Sequence, residues 1–238
     1  MHKHCLLNLF FVVWINVHAQ HQVLHTQLLW YNYNNIVHFN NKWALVNDVQ
    51  VRTRDWGQRW SQFALRSGLM HRLNKSVSVT GGFTWFGNVR YFNEEALVLN
   101  EWRPWEEIAF QKNAGKNIFL QRLRLEQRFL QTAVNGKRTN EYEKRQRLRY
   151  RFEFAFPFAQ KKFELHAGNE VMVNLNYISG NRFFDQNRSF AFINCQLSES
   201  VFFQFQYLKI FLWQPANNIL ENQDVFRFSI HQQIFLRR

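Results

Sequence analysis

The chain has 238 residues, with 30 lysines and arginines against 17 aspartates and glutamates, a formal net charge of +13. Hydrophobic residues make up 46% and aromatic residues 18%, which excludes a disordered basic tail, because the chain carries ample apolar material to bury. A mean hydropathy of −0.42 excludes a bundle of membrane helices but not membrane strands, in which every second residue can be polar.

The first residues read as a secretory signal. His2, Lys3 and His4 form a basic start, Leu6 to Val17 an apolar stretch, and Val17-His18-Ala19 a small-residue cleavage site before Gln20. The apolar stretch is shorter than the roughly 20 residues that span a bilayer as a helix, and it holds Asn8 and Asn16. The expected organisation is therefore a signal peptide over residues 1–19 and one mature domain over residues 20–238. Cleavage removes Cys5 and leaves Cys195 alone, so no internal disulfide or cysteine-based metal cage can form.

Further along, polar and apolar side chains alternate with period two, the signature of strands. Candidate strands are Leu28 to Phe39, Lys42 to Arg54, Trp60 to His71, Lys75 to Gly87, Glu101 to Gln111, Asn117 to Gln131, Glu143 to Phe156, Lys162 to Leu175, Gln186 to Leu197, Val201 to Leu212 and Asp224 to Leu236. Short connections, such as Asn40-Asn41 and Pro157 to Lys161, alternate with longer ones at Asn88 to Asn100, Thr132 to Tyr142, Asn176 to Asp185 and Trp213 to Gln223. Outer-membrane barrels show this asymmetry between their two ends, and bacterial ones have an even number of strands. Either residues 20–27 add a short strand or the first candidate is not a full member.

The clearest alternation sets Arg145, Arg147, Arg149, Arg151 and Glu153 against Leu148, Tyr150, Phe152, Phe154 and Phe156. An arginine held toward lipid at mid-depth costs about 2–4 kcal/mol, so in a membrane the charged side must face inward. The expected fold is all-β, an antiparallel transmembrane β-barrel of about 10–12 strands, placed in the bacterial outer membrane after export. Trp30, Trp43, Trp60, Trp85, Trp102, Trp105 and Trp213 fall near strand ends and are expected to form interfacial girdles.

Several blocks resemble the DUF2490 family, outer-membrane β-barrel proteins of unknown function from Bacteroidetes-type bacteria. They are Trp30, Lys42-Trp43 and Arg52; Glu101-Trp102-Arg103 with Trp105-Glu106-Glu107; Arg122-Leu123-Arg124-Leu125-Glu126-Gln127-Arg128-Phe129; Arg147-Leu148-Arg149-Tyr150; and Asp185-Gln186-Asn187-Arg188. The resemblance covers nearly the whole mature chain. It implies fold and location, and transfers no substrate or catalytic residue.

The candidate site is a lumenal charge cluster on three consecutive strands: Glu101, Arg103, Glu107, Arg122, Arg124, Glu126, Arg128, Arg145, Arg147, Arg149, Arg151 and Glu153. Two readings stand, an internal polar network that fills a narrow barrel and a basic constriction that passes small solutes, anions above all. A lipid hydrolase or acyltransferase is the enzymatic alternative, with His71, His166 or His231 beside Ser67, Ser78 or Ser229. A binding module presenting Tyr91, Trp102, Trp105 and Trp213 from loops is the third. The glycines Gly81-Gly82 read as a kink in a curved sheet. No motif for a metal or nucleotide cofactor is present, so none is expected. Strict period two sets the basic and aromatic residues on opposite faces, which argues against nucleic acid. The basic loop positions Arg52, Arg54, Arg59, Lys137, Arg138, Lys144 and Arg182 read equally as solvated residues and as contacts to lipid or lipopolysaccharide; outer-membrane lipid or lipopolysaccharide and the barrel-insertion machinery are the expected partners.

Overall fold

The alternating segments form eleven strands in a computed structural model that describes residues 23–159, 162–176, 183–214 and 219–236. They are β1 (Val23–His38), β2 (Trp43–Arg54), β3 (Arg59–Arg72), β4 (Val77–Phe92), β5 (Glu95–Ala114), β6 (Asn117–Val134), β7 (Lys137–Phe158), β8 (Phe163–Asn174), β9 (Phe184–Gln196), β10 (Val201–Gln214) and β11 (Ile219–Phe235). The signal segment 1–19 and Arg182 lie outside the described residues. Each strand pairs antiparallel with the next, and β11 returns to β1 to close a barrel. Even the shortest strands, β2 and β8 at 12 residues, exceed the roughly 9–11 that a tilted strand needs to cross a bilayer.

Closure corrects the expectation of an even strand number. Residues 23–27 lengthen β1 rather than add a strand, and β1 pairs parallel with β11 along its whole 16-residue length, from Val23 opposite Leu220 to His38 opposite Phe235. In an up-and-down meander with an odd strand count the first and last strands point the same way, so only parallel pairing can join them.

Three expected long connections are also corrected, that at Trp213 to Gln223 because β10 runs on to Gln214 and β11 begins at Ile219. β4 and β5 meet at Asn93-Glu94, where φ is 47° and 66°, and β6 and β7 meet at Asn135-Gly136, where φ is 49° and 73°. Positive φ at both central residues is the requirement of a type I′ turn, whose twist matches that of the flanking strands. The polar residues assigned to loops therefore continue the ladder, and β5, β6 and β7 reach 20, 18 and 22 residues. These hairpins project from one mouth of the barrel. At the other mouth the turns begin at Phe39, Leu73, Gly115, Ala159 and Leu197.

Parity decides which side chains face out. Leu65, Leu69, Phe83, Ile108, Leu123, Tyr150, Phe154, Leu165 and Ile230 are exposed, whereas their neighbours Arg124, Arg149, Glu153, His166 and Ser229 are buried. Outward polar groups are often paired with one another: Asn47 Nδ2 donates to Asn35 Oδ1 at 2.8 Å and Ser67 Oγ to Asn47 Oδ1 at 2.8 Å. Glu106 is an outward, exposed carboxylate with no hydrogen-bond partner among the described residues.

The girdle expectation holds for part of the tryptophan set. Trp43 is exposed and lies 4.1 Å from the ring of His71, and Trp60 and Trp102 are exposed near the opposite mouth. Trp30 and Trp105 are buried instead, because each shares the parity of its strand's inward residues, Asn32 and Arg103. Trp213 is buried as well. Nor is the interior uniformly polar: Leu28, Trp30, Phe190, Phe192, Leu208, Ile210 and Val225 form an apolar cluster on the wall of β1, β9, β10 and β11.

Candidate functional site

Inward side chains of β5, β6 and β7 bring the twelve sequence-derived charges onto one wall. Directly opposite pairs are partly unfavourable, since Arg122 faces Arg151, Arg124 faces Arg149 and Arg128 faces Arg145. Like charges in that position destabilise a sheet, so each guanidinium reaches elsewhere for a carboxylate. Arg124 Nε donates to Glu107 Oε2 at 2.7 Å and Arg128 Nε to Glu101 Oε1 at 2.7 Å. Arg151 pairs with Glu153 on its own strand, and Arg145 with Glu143 at 2.6 Å.

Glu126 is the hub. It accepts from Arg103 at 3.3 Å, from Arg147 at 2.6 Å and from Arg149 at 2.6 Å, and is 1% exposed. Four partners of this network were not among the expected charges: Glu143, which holds Arg145, and Glu170, Asp185 and His166. Glu170 on β8 takes Arg149 at 2.9 Å and also binds Arg122, and Asp185 on β9 takes Arg147 at 2.8 Å. Glu153 holds Nδ1 of His166 at 2.6 Å. The parity of β8, with His166, Glu170 and Asn174 in step, is the signal that marks Glu170 as inward.

The facing wall carries arginines with far fewer acids. Arg52, expected at a solvated loop position, lies inside on β2, bonded to Gln62 Oε1 at 2.5 Å and to Gln50. Arg52 and Arg227 have no carboxylate partner among the described residues, while Arg66 and Arg188 reach Asp48 and Glu170 only at 4.0 and 3.9 Å. Guanidiniums from both walls line a cavity of about 190 Å³ in mid-barrel. Toward the mouth formed by the Leu73 turn the interior widens to about 610 Å³.

Inward aromatic rings set the planes of several guanidiniums. Arg52 lies 3.9 Å from the Trp30 ring centroid, Arg103 4.2 Å from Phe86, Arg124 4.2 Å from Trp105 and Arg151 4.1 Å from Phe190. Cation–π contact of this kind favours a cation over the ring face. The rings in turn lie on glycines: a Cβ at Gly82 would fall 2.5 Å from Trp105, and one at Gly168 2.7 Å from Phe190. Gly82 thus serves close packing of Trp105 rather than the sheet bend read from Gly81-Gly82.

The enzymatic candidates are scattered. His71 faces outward against Trp43, His166 is held by Glu153 and Asn194, and His231 by Asn34 at 3.4 Å and the Phe202 ring at 4.4 Å. Among the described residues no serine hydroxyl is bonded to any of the three. Of the loop-binding candidates, Trp105 lies inside, Trp102 on the outer wall and Tyr91 beneath Arg59, 5.3 Å away.

A family described as "Protein of unknown function (DUF2490)" matches residues 27–221, which takes in all of β2 to β10. The chain belongs to the DUF2490 family. Among solved structures similar to this DUF2490 chain is the NanC porin in a rhombohedral crystal form, at 10% identity and a TM-score of 0.48, covering 81% of this chain and 92% of that one. No curated protein matches it.

Proposed function

We propose that this protein spans the outer membrane and passes small anions through its arginine-lined interior. The exposed apolar exterior and the strand lengths support the membrane setting. The observation that carries the passage is the asymmetry of the two walls. On β5 to β8 charges are matched and hold one another in place, whereas Arg52 and Arg227 face the lumen with no carboxylate within ion-pair distance among the described residues. Rings of arginine favour anions in a narrow polar pore, and a cleft of one sign raises the local concentration of counter-ions.

Planar-bilayer recording across a potassium chloride gradient tests this. The expected result is discrete conductance with a reversal potential on the chloride side, and a chloride-to-potassium preference that falls by about tenfold in the Arg52→Met, Arg227→Met double variant. Absence of conductance from protein that still migrates as a heat-modifiable barrel, or a preference for potassium, would overturn the proposal.

A further inference from the structure

The wall made by β1, β11 and β10 concentrates hydrogen-bonding groups that have no partner. Asn32 Oδ1, Gln206 Nε2, Arg227 Nε and Ser229 Oγ are all buried and unpartnered among the described residues. Asn32, Gln206 and Ser229 are 8%, 0% and 2% exposed. The register sets them side by side, with Asn32 opposite Ser229 across the parallel seam and Arg227 opposite Gln206 on the next strand. Buried polar groups are normally satisfied, so a cluster of open ones on one wall marks a place where something else supplies the bonds.

Asn32, Arg227 and Asn194 line the cavity of about 610 Å³, and Ser229 sits between the lining residues Arg227 and His231 on the same face of β11. Asn194 donates through Nδ2 to His166 Nε2 at 3.2 Å, which leaves its buried Oδ1 open. Acids around the cavity are already engaged, Asp48 by Gln50 and Glu153 by Arg151 and His166. The open set is mixed. Arg227 and Gln206 can only donate from the atoms named, whereas the amide oxygens of Asn32 and Asn194 can only accept. An inorganic anion that carries no O–H, such as chloride or nitrate, supplies acceptors alone and leaves both asparagines unmet.

We propose that this wall binds a small hydroxylated organic acid, its carboxylate on Arg227 and its hydroxyl groups on Asn32, Asn194 and Ser229. The inference rests on the reading that small anions enter the interior, and names the class for which the site is built. Charge-assisted and neutral hydrogen bonds are then both required, which sets the ligand apart from a simple carboxylate and from a neutral polyol.

Titration calorimetry on the purified barrel in detergent, with gluconate, hexanoate and sorbitol as probes, separates the contributions without needing a current. Gluconate is expected to bind about tenfold or more tightly than either probe that lacks one of its two functions. Arg227→Met and Asn32→Leu should each weaken gluconate by about tenfold, with Asn32→Leu leaving hexanoate unchanged. Ser229→Ala, which removes a single hydroxyl, provides a milder second variant should either of these fail to fold. Equal binding of the three probes, variants that bind gluconate like the wild type, or no binding by a heat-modifiable barrel would each overturn the assignment. A barrel that conducts chloride but binds no gluconate removes this inference alone; one that binds gluconate but carries no current removes the passage reading.

Discussion

Glu126 shows how much a single residue holds in place. Three guanidiniums, those of Arg103, Arg147 and Arg149, converge on it in a buried setting. Removing one partner from a buried ion pair costs about 3–5 kcal/mol, because the charge left behind is not resolvated. Glu126→Leu should therefore lower stability by at least that much, read as a shift in the urea midpoint of unfolding from vesicles. The neighbouring glycines give a sharper contrast. A Cβ at Gly82 meets Trp105 and the Ser67 carbonyl oxygen at 2.5 Å, whereas one at Gly81 meets nothing within 4 Å. Gly82→Ala should cost about 1–3 kcal/mol by overpacking, and Gly81→Ala should be tolerated or slightly stabilising, since alanine loses less backbone freedom than glycine. The inward parity of the twelve charges was legible in the sequence, because an arginine cannot be mistaken for a lipid-facing residue. Trp30 and Trp105 were not legible in the same way: tryptophan suits both an interface and a packed interior, and only the step with Asn32 and Arg103 tells which applies.

At the scale of the element, the parallel seam separates this barrel from an even-stranded one. Tyr31 and Phe228 face each other across it, with ring centroids 5.9 Å apart. Replacing both by cysteine, in a Cys195→Ser background, should give an intramolecular disulfide on mild oxidation, seen as a gel-mobility shift that reductant reverses, since opposite Cα atoms in a ladder lie within disulfide reach of about 4.4–6.8 Å. A barrel closed in any other register would leave both thiols free. All eleven strands could be read from alternation, but their lengths could not. The segment around Asn135-Gly136 is polar on both faces, as strands standing clear of hydrocarbon can be, and that around Asn93-Glu94 carries apolar residues on both, with Phe92 and Leu97 on one and Tyr91 and Val98 on the other, so period two fades at each although the pairing continues. The asparagine-glycine step was the available turn signal. On β9 and β10 the opposite problem arises, because Phe190, Phe192, Leu208 and Ile210 make the inward face as apolar as the outward one and alternation no longer distinguishes them.

For the whole molecule, the question is which solvent the exterior meets. Leu123 is 42% exposed, so in a water-soluble barrel Leu123→Arg would change stability by no more than about 0.5 kcal/mol. Facing lipid, the same change should cost about 2–4 kcal/mol at mid-depth. Reversible folding into vesicles measures the difference, with the effect expected to shrink for substitutions nearer the mouths. This large-scale arrangement was the most legible level of all, since charge on one parity and aromatic residues on the other leave few places where both faces can be content. The division of the interior into a matched wall and an open one was not, because it depends on which strands meet across the lumen.

The odd strand count also fixes where the polypeptide goes in and where it comes out. β1 starts at the mouth from which the β5–β7 hairpins project, and β11 finishes at the opposite one. A tag placed just ahead of Val23 and another just behind Phe235 would therefore be reached by impermeant reagents from opposite sides of the bilayer, giving the barrel a polarity that an even meander, with both tags on one side, does not possess.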